Sequence, residues 1–171
     1  MNVLIIAAHP DDEILGMGGT ISKHTSQNDD VTIIYMATGI TARRELSNDK
    51  HEIKNIPKTT QQQWQKEINQ LRIDAKKSAK LLSVKNVKFY DFPDNEMDGI
   101  QLLKVVKIIE KEIKETKPDR IYTNHYGDLN VDHKVVSNAV LTACRPSSFL
   151  VKEILCFEVL SSTEWSYPYN F

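Results

Sequence analysis

Cysteine is scarce. Cys144 and Cys156 are the only two, and they fall in segments that read as helix and strand. Packed thiols are therefore expected, rather than a disulfide or a metal pair. No apolar run approaches the roughly 18 residues that a membrane span needs. The start, Met1-Asn2-Val3, has no basic n-region and runs straight into an apolar stretch, so no secretory signal is expected and a cytoplasmic location is. Neither sign of charge is in excess: the net charge is −1, which removes any electrostatic case for nucleic acid or an anionic membrane as partner. The glycines of Gly16-Met17-Gly18-Gly19 match neither a G-x-G-x-x-G fingerprint nor a P-loop, which needs GK[ST]. There is no internal repeat, linker or low-complexity tract. What remains is ordinary. At 171 residues, 40% hydrophobic and 26% charged, the chain fits one domain with a substantial core.

The chain alternates apolar runs with amphipathic segments. Residues 2–8 are a continuous apolar run and read as a buried strand. Residues 12–27 read as a helix, with Ile14, Leu15, Met17 and Ile21 on a partly apolar face; its glycines suit either close packing on a sheet or room for a ligand. A second strand is expected at 31–37, followed by a polar loop over 39–57. Arg44 and His51 in that loop read as surface residues. A long helix over 58–83, a strand at 87–90, a turn-rich loop at 91–99 and an amphipathic helix over 100–117 follow. The lysines of that last helix interleave with Glu110 and Glu112, so they read as a solvated face. A fourth strand at 120–123, a helix at 131–144 and a strand at 153–160 complete the order. This β-α alternation predicts an α/β fold: a Rossmann-like three-layer α/β/α sandwich around a mostly parallel sheet of about five strands.

Two strand ends carry side chains suited to a metal. AHPDDE, residues 8–13, follows the first strand and supplies His9, Asp11 and Asp12. NHYGDLNVDH, residues 124–133, follows the fourth and supplies His125, Asp128, Asn130, Asp132 and His133. Parallel strands present their carboxyl ends on one edge, so the two segments can converge. His9 and Asp12 are three apart across a turn and can face one ion, with His133 as a third ligand. Two imidazoles and one carboxylate leave a position open for water, as a catalytic zinc site requires, and the same set accepts Fe(II). Singly, each residue has a plainer explanation. Asp11 or Asp12 could cap the first helix, Asp128 or Asp132 the later one, and His24 or His125 alone reads as non-catalytic. Their joint placement at two strand ends favours a site.

AHPDDE together with DLNVDH resembles the LmbE-like, or PIG-L-type, zinc-dependent de-N-acetylases. The resemblance extends over nearly the whole chain, through ATGITARR, FYDFPDN, KPDRIYTNHYGDLNVDH and FEVLSSTEW. The SSTEW ending is similar to that of bacterial members tied to sugar metabolism. The resemblance implies that His9, Asp12 and His133 hold zinc and that Asp11 is the general base. It implies that Asp132 supports the site and that Arg72 and Asp94 contact a sugar. Arg43 is added to the substrate residues for its place near the second strand's end. Many members carry an earlier histidine in the second motif that assists the oxyanion; here that position is Asn130, which can donate a hydrogen bond but not a proton. Asn130 and His125 are thus the candidates for that task. Members also generally continue beyond SSTEW. The aromatic tail Trp165, Tyr167, Tyr169 and Phe171 reads as an interrupted segment, so the expectation is a single domain over 1–171, truncated at its C-terminus.

The activity so implied is removal of an N-acetyl group from an amino sugar of the N-acetylglucosamine type, or from its conjugate. The expected partner is a small amino-sugar substrate, with a homo-oligomer left open. Alternatives are an amidase on another N-acyl compound, a metal-binding but inactive homologue or partner subunit, and a nucleotide-binding module. The missing glycine-rich fingerprint weighs against the last.

Overall fold

The structure is a computed structural model that describes residues 1–42, 58–146, 151–160 and 162–166. The expectations for Arg43, Arg44, His51, Tyr167, Tyr169 and Phe171 lie outside the described residues. The element order is β1 (Asn2–Ala7), α1 (Asp12–Ser26), β2 (Asp30–Ala37), α2 (Lys58–Leu81), β3 (Asn86–Phe92), α3 (Leu102–Thr116), β4 (Arg120–Asn124), α4 (Val131–Ala143) and β5 (Glu153–Phe157). A short 3-10 turn, Met97–Gly99, precedes α3. The five strands form one sheet in the order β3-β2-β1-β4-β5, and every described pairing is parallel.

The continuous apolar runs of β1 and β2 are explained by burial on both faces. Leu4, Ile6, Ile34 and Met36 point to one face, where Val105, Val106 and Ile109 of α3 and Val136, Ala139 and Val140 of α4 pack. Val3, Ile5, Ile33 and Tyr35 point to the other, against Met17 and Ile21 of α1 and Ala75 and Ala79 of α2. Each fully buried Ile, Leu or Val contributes about 1.5–3 kcal/mol relative to exposure, so this two-sided core holds the strand ends in register. α1 and α2 cover one face and α3 and α4 the other, which gives the three-layer α/β/α sandwich. The chain reverses its winding between β1 and β4, which pair Val3 with Arg120 through Ile6 with Thr123. A crevice at the carboxyl edge is expected at such a switch point.

Two details differ from the sequence expectations. The last strand ends at Phe157 rather than continuing to Leu160. Its partner β4 ends at Asn124, paired with Phe157, so no ladder exists beyond it; the Val159 N–H instead donates to Thr163 Oγ1 at 2.8 Å. The thiols are free, but Cys156 is exposed rather than packed, because β5 is an edge strand; Cys144 is half-buried. Of the glycines in α1, Gly16 is the one that packing demands. An added Cβ there would meet the Glu158 carbonyl oxygen at 2.4 Å, while Gly19 has open space around it.

Candidate active site

The turn from β1 into α1 is tight: the Asp11 N–H donates to the His9 carbonyl at 2.9 Å. It puts His9 and Asp12 on the inner side, both buried, and leaves Asp11 exposed. Asn124, at the end of β4, ties this turn to the neighbouring strand. Its Oδ1 accepts from Ala8 N–H at 2.9 Å and its Nδ2 donates to Asp12 Oδ2 at 3.1 Å. Asn130 caps α4, accepting from the Asp132 N–H at 2.9 Å. That cap aims Asp132 and His133 back at the turn from β1. Glu13, the third carboxylate of the first motif, turns away into the core and accepts from Tyr35 Oη at 2.6 Å. Burial pushes its pKa up to about 7.

Three ligand atoms converge. His9 Nδ1 and His133 Nε2 are 3.2 Å apart, His133 Nε2 and Asp12 Oδ2 3.3 Å, and His9 Nδ1 and Asp12 Oδ2 3.6 Å. Ligands about 2.0–2.1 Å from one tetrahedral ion lie about 3.3–3.4 Å from one another, so the triangle has the dimensions of one face of a zinc site. The far nitrogens of both rings meet carboxylates, the arrangement that fixes the tautomer of a ligating histidine. His9 Nε2 is 3.0 Å from Asp132 Oδ2 and 3.2 Å from Asp94 Oδ1. His133 Nδ1 is 2.9 Å from Asp128 Oδ2, off the line for a hydrogen bond and without another partner. His9, Asp94 and Asp132 form a second close group, but it uses the nitrogen of His9 opposite the triangle and reads as ring support.

The electrostatics ask for a cation. Burial opposes charge on His9, yet hydrogen bonds to Asp12, Asp132 and Asp94 outweigh it and push the pKa up to about 12. His133 is likewise raised, against burial, to about 9 by Asp12 and Asp128. Asp12 is held well below the carboxylate range despite its burial, by His133 and His9. Protons here fill a demand for positive charge that a divalent ion would meet instead. Asp11 shifts the other way: desolvation first and then the charge of Asp12 raise its carboxyl. It makes no capping hydrogen bond to α1, so the plainer explanation for it fails and its carboxylate stays available.

A cleft of about 380 Å³ opens over the triangle. His9, Asp11, Asp12, Asp94, Asn130 and His133 line it, together with Leu15, Gly39, Ile40, Val159, Leu160 and Ser162. Asp94 thus reaches the cleft, although Ala42 N–H at 2.8 Å and His9 already engage its two oxygens. Asp132 is fully buried beneath it, accepting from the backbone of Asn95 and Met97 as well as from His9. Arg72 and His125 are not brought to the cleft. The Arg72 guanidinium pairs with Asp91 and lies over the Phe89 ring; His125 Nδ1 accepts from Gly127 N–H at 3.1 Å and its ring packs on Tyr126. His24 is structural, held between Asp29 and Tyr122 far along α1.

Asn124, Ser162 and Thr163 escaped the sequence reading. A polar residue ending a strand carries no periodic signal, and hydroxyls more than thirty residues from the motif read as loop polarity.

Comparison with known proteins identifies a family. Residues 4–144 match the family described as PIG-L: GlcNAc-PI de-N-acetylase. The chain is 26% identical over 165 residues to an uncharacterized deacetylase, YaiS, of Escherichia coli (strain K12), covering 94% of this chain and 75% of that one. It is 30% identical over 112 residues to diacetylchitobiose deacetylase of Thermococcus kodakarensis, covering 64% of this chain and 37% of that one. The solved N,N'-diacetylchitobiose deacetylase of Pyrococcus horikoshii, complexed with an inhibitor, superposes with a TM-score of 0.65 at 23% identity. That superposition covers 82% of this chain and 48% of the other, and at such identity it speaks for the fold. This chain therefore spans less than half the length of both chitobiose deacetylases. The two motifs, the switch-point site they build and a match over most of the chain lead to one conclusion: the chain belongs to the PIG-L de-N-acetylase family.

Proposed function

We propose that the chain is a metal-dependent hydrolase that removes an N-acetyl group from an amino sugar of the N-acetylglucosamine type or its conjugate, releasing acetate. The observation that carries this reading is the triangle of His9 Nδ1, His133 Nε2 and Asp12 Oδ2, with the uncommitted carboxylate of Asp11 on the same cleft. A sequence relative named as a diacetylchitobiose deacetylase supports the choice of an N-acetylated sugar. His9, Asp12 and His133 would hold zinc, or ferrous iron. An ion held there would lower the pKa of a water from about 15.7 toward about 7 and polarise the acyl oxygen.

The chain's own groups do the rest. Asp11 accepts a proton as water attacks the amide carbon, and its raised pKa suits that role. A C–O bond forms, and the carbonyl oxygen takes up negative charge. Asn130 lines the cleft with its Oδ1 committed to the α4 cap. That leaves its Nδ2 to donate to the oxyanion. The C–N bond then breaks while Asp11 returns its proton to the nitrogen, giving acetate and a free amine. Asp94, at the cleft, is the residue proposed to meet the sugar, and Asp132 holds His9 in place. Arg43, Arg72 and His125 remain proposals from position and resemblance alone.

The test is acetate release from a panel of N-acetylated monosaccharides, disaccharides and non-sugar N-acyl compounds, with zinc, iron and chelator arms. Release from the sugars that a chelator abolishes is expected. Release only from non-sugar amides would move the substrate to another N-acyl compound. Metal bound at one equivalent with no release from any compound would leave a binding protein rather than a hydrolase.

A further inference from the structure

Residues 162–166 carry no part in the reaction above, yet they touch the site at a defined point. Asp128 is fully buried, and its Oδ2 gathers three groups. Thr163 Oγ1 donates to it at 2.6 Å, Ser162 Oγ donates at 3.0 Å, and His133 Nδ1 stands 2.9 Å away. The other oxygen accepts from Asn130 N–H at 2.7 Å. The direction of the Thr163 bond is settled by its surroundings. Its hydroxyl oxygen already accepts from Val159 N–H at 2.8 Å, so its single proton goes to Asp128. Thr163 is itself fully buried. The segment is tied down again where Leu129 N–H donates to the Ser162 carbonyl at 3.0 Å. Thus a turn from the far end of the chain fixes the carboxylate that faces the outer nitrogen of His133. The same turn supplies Val159, Leu160 and Ser162 to the cleft wall.

We propose that the Ser162 and Thr163 hydroxyls are positioning groups for His133, acting through Asp128. This rests on the reading of His133 as a metal ligand. Both hydroxyls donate to one oxygen of Asp128 and fix how its carboxylate is turned toward His133. The Asp128 carboxylate, 2.9 Å from Nδ1, favours a proton on that nitrogen by its charge and so leaves Nε2 free toward the triangle. Outer partners of ligating histidines typically change metal affinity about 10–100-fold when lost. The arrangement couples the cleft wall to the ligand: a shift of the turn moves both.

The experiment measures zinc affinity by chelator competition and the visible spectrum of the cobalt(II) form, on the full chain and on Thr163→Val, Thr163→Ser and Ser162→Ala. Thr163→Val keeps the side-chain shape and removes the donor. It is expected to weaken zinc binding about 10-fold or more and to alter the cobalt spectrum. Thr163→Ser restores the hydroxyl and is expected to bind within about 3-fold of the parent. A purely structural role would lower the melting temperature of the metal-free protein while leaving the affinity and spectrum of folded protein unchanged; that result overturns the proposal. Should Thr163→Val fail to fold, Ser162→Ala reports on the same oxygen, and parental affinity there overturns it equally. If the unmodified chain binds no zinc or cobalt, the metal reading itself falls, which is distinguishable from a parent that binds and variants that bind alike.

Discussion

Asp11 and Asp12 are chemically identical neighbours with different surroundings. Asp12 Oδ2 accepts from His9 N–H at 2.9 Å and from Asn124 at 3.1 Å, and it faces both histidines. Asp11 has no such partners. Asp12→Asn is therefore expected to abolish tight metal binding. Asp11→Asn should keep bound metal and lose about 10²–10⁴ in turnover, as for a general base. Metal content and acetate release, measured on both variants, check the pair; near-parental turnover in Asp11→Asn would remove the base assignment. The thiols give a pH-dependent prediction away from the site. Burial raises Cys144 to about 11 from 9.0, so at pH 8 its thiolate fraction is about 100-fold below that of an unshifted thiol. Alkylation by iodoacetamide should reach exposed Cys156 first, and Cys144 should react faster as the pH rises toward 11, read by mass spectrometry. The residues of the two motifs were legible in the sequence: His9, Asp11, Asp12, Asn130 and His133 meet at one cleft, and Asp94, named from the resemblance, lines it too. Asn124 and Thr163 were not legible, because their contribution is a hydrogen bond across more than thirty residues, which leaves no local pattern; Asp128 was legible as a polar residue of the second motif, but not its bond to Thr163. Arg72 was credited to the cleft by resemblance, and its pairing with Asp91 depends on how α2 lies along β3.

Among the elements, α1 is the one with least freedom. Its first turn carries the motif, and Gly16 presses its backbone on the chain just after β5. A methyl group at Gly16 would lie 2.4 Å from the Glu158 carbonyl oxygen and 2.7 Å from the Phe157 ring, and backbone cannot yield as a side-chain tip can. Gly16→Ala is expected to cost about 1–3 kcal/mol, as overpacking does. For a chain of this size that lowers the melting temperature by about 2–4 °C per kcal/mol, measurable by calorimetry. Gly19→Ala, with open space, should not lower it. Strand and helix identities followed from periodicity, since two-sided burial makes β1 and β2 unmistakably apolar. The boundary at β5 did not, because Glu158 to Leu160 has strand-like residues and only the end of β4 decides where pairing stops. Gly16 shows the same limit: its neighbour lies over 140 residues away, and the local glycine run points equally to packing and to a ligand.

For the molecule as a whole, the concentration of buried acids and histidines at one edge predicts a marked response to metal. Ligand at 100 times its dissociation constant stabilises by about 2.7 kcal/mol, which corresponds to a rise of about 5–11 °C in melting temperature. Zinc should produce that rise and a chelator should reverse it; no shift with zinc, iron or cobalt would count against a metal centre. None of the described helices is long and apolar enough to cross a membrane. The strand order has a further consequence, for the history of the chain rather than its chemistry. β1 waits between β2 and β4, and His9 meets its partner His133 from 124 positions further along the chain. The N-terminal β-α-β half can wind up early from local contacts, but it holds only His9 and Asp12 of the three proposed ligands. Closing the large loop to β4 is the slow kind of event. The three proposed ligands come together only where β1 and β4 pair, so tight uptake of an ion is expected only from a chain whose sheet has been completed.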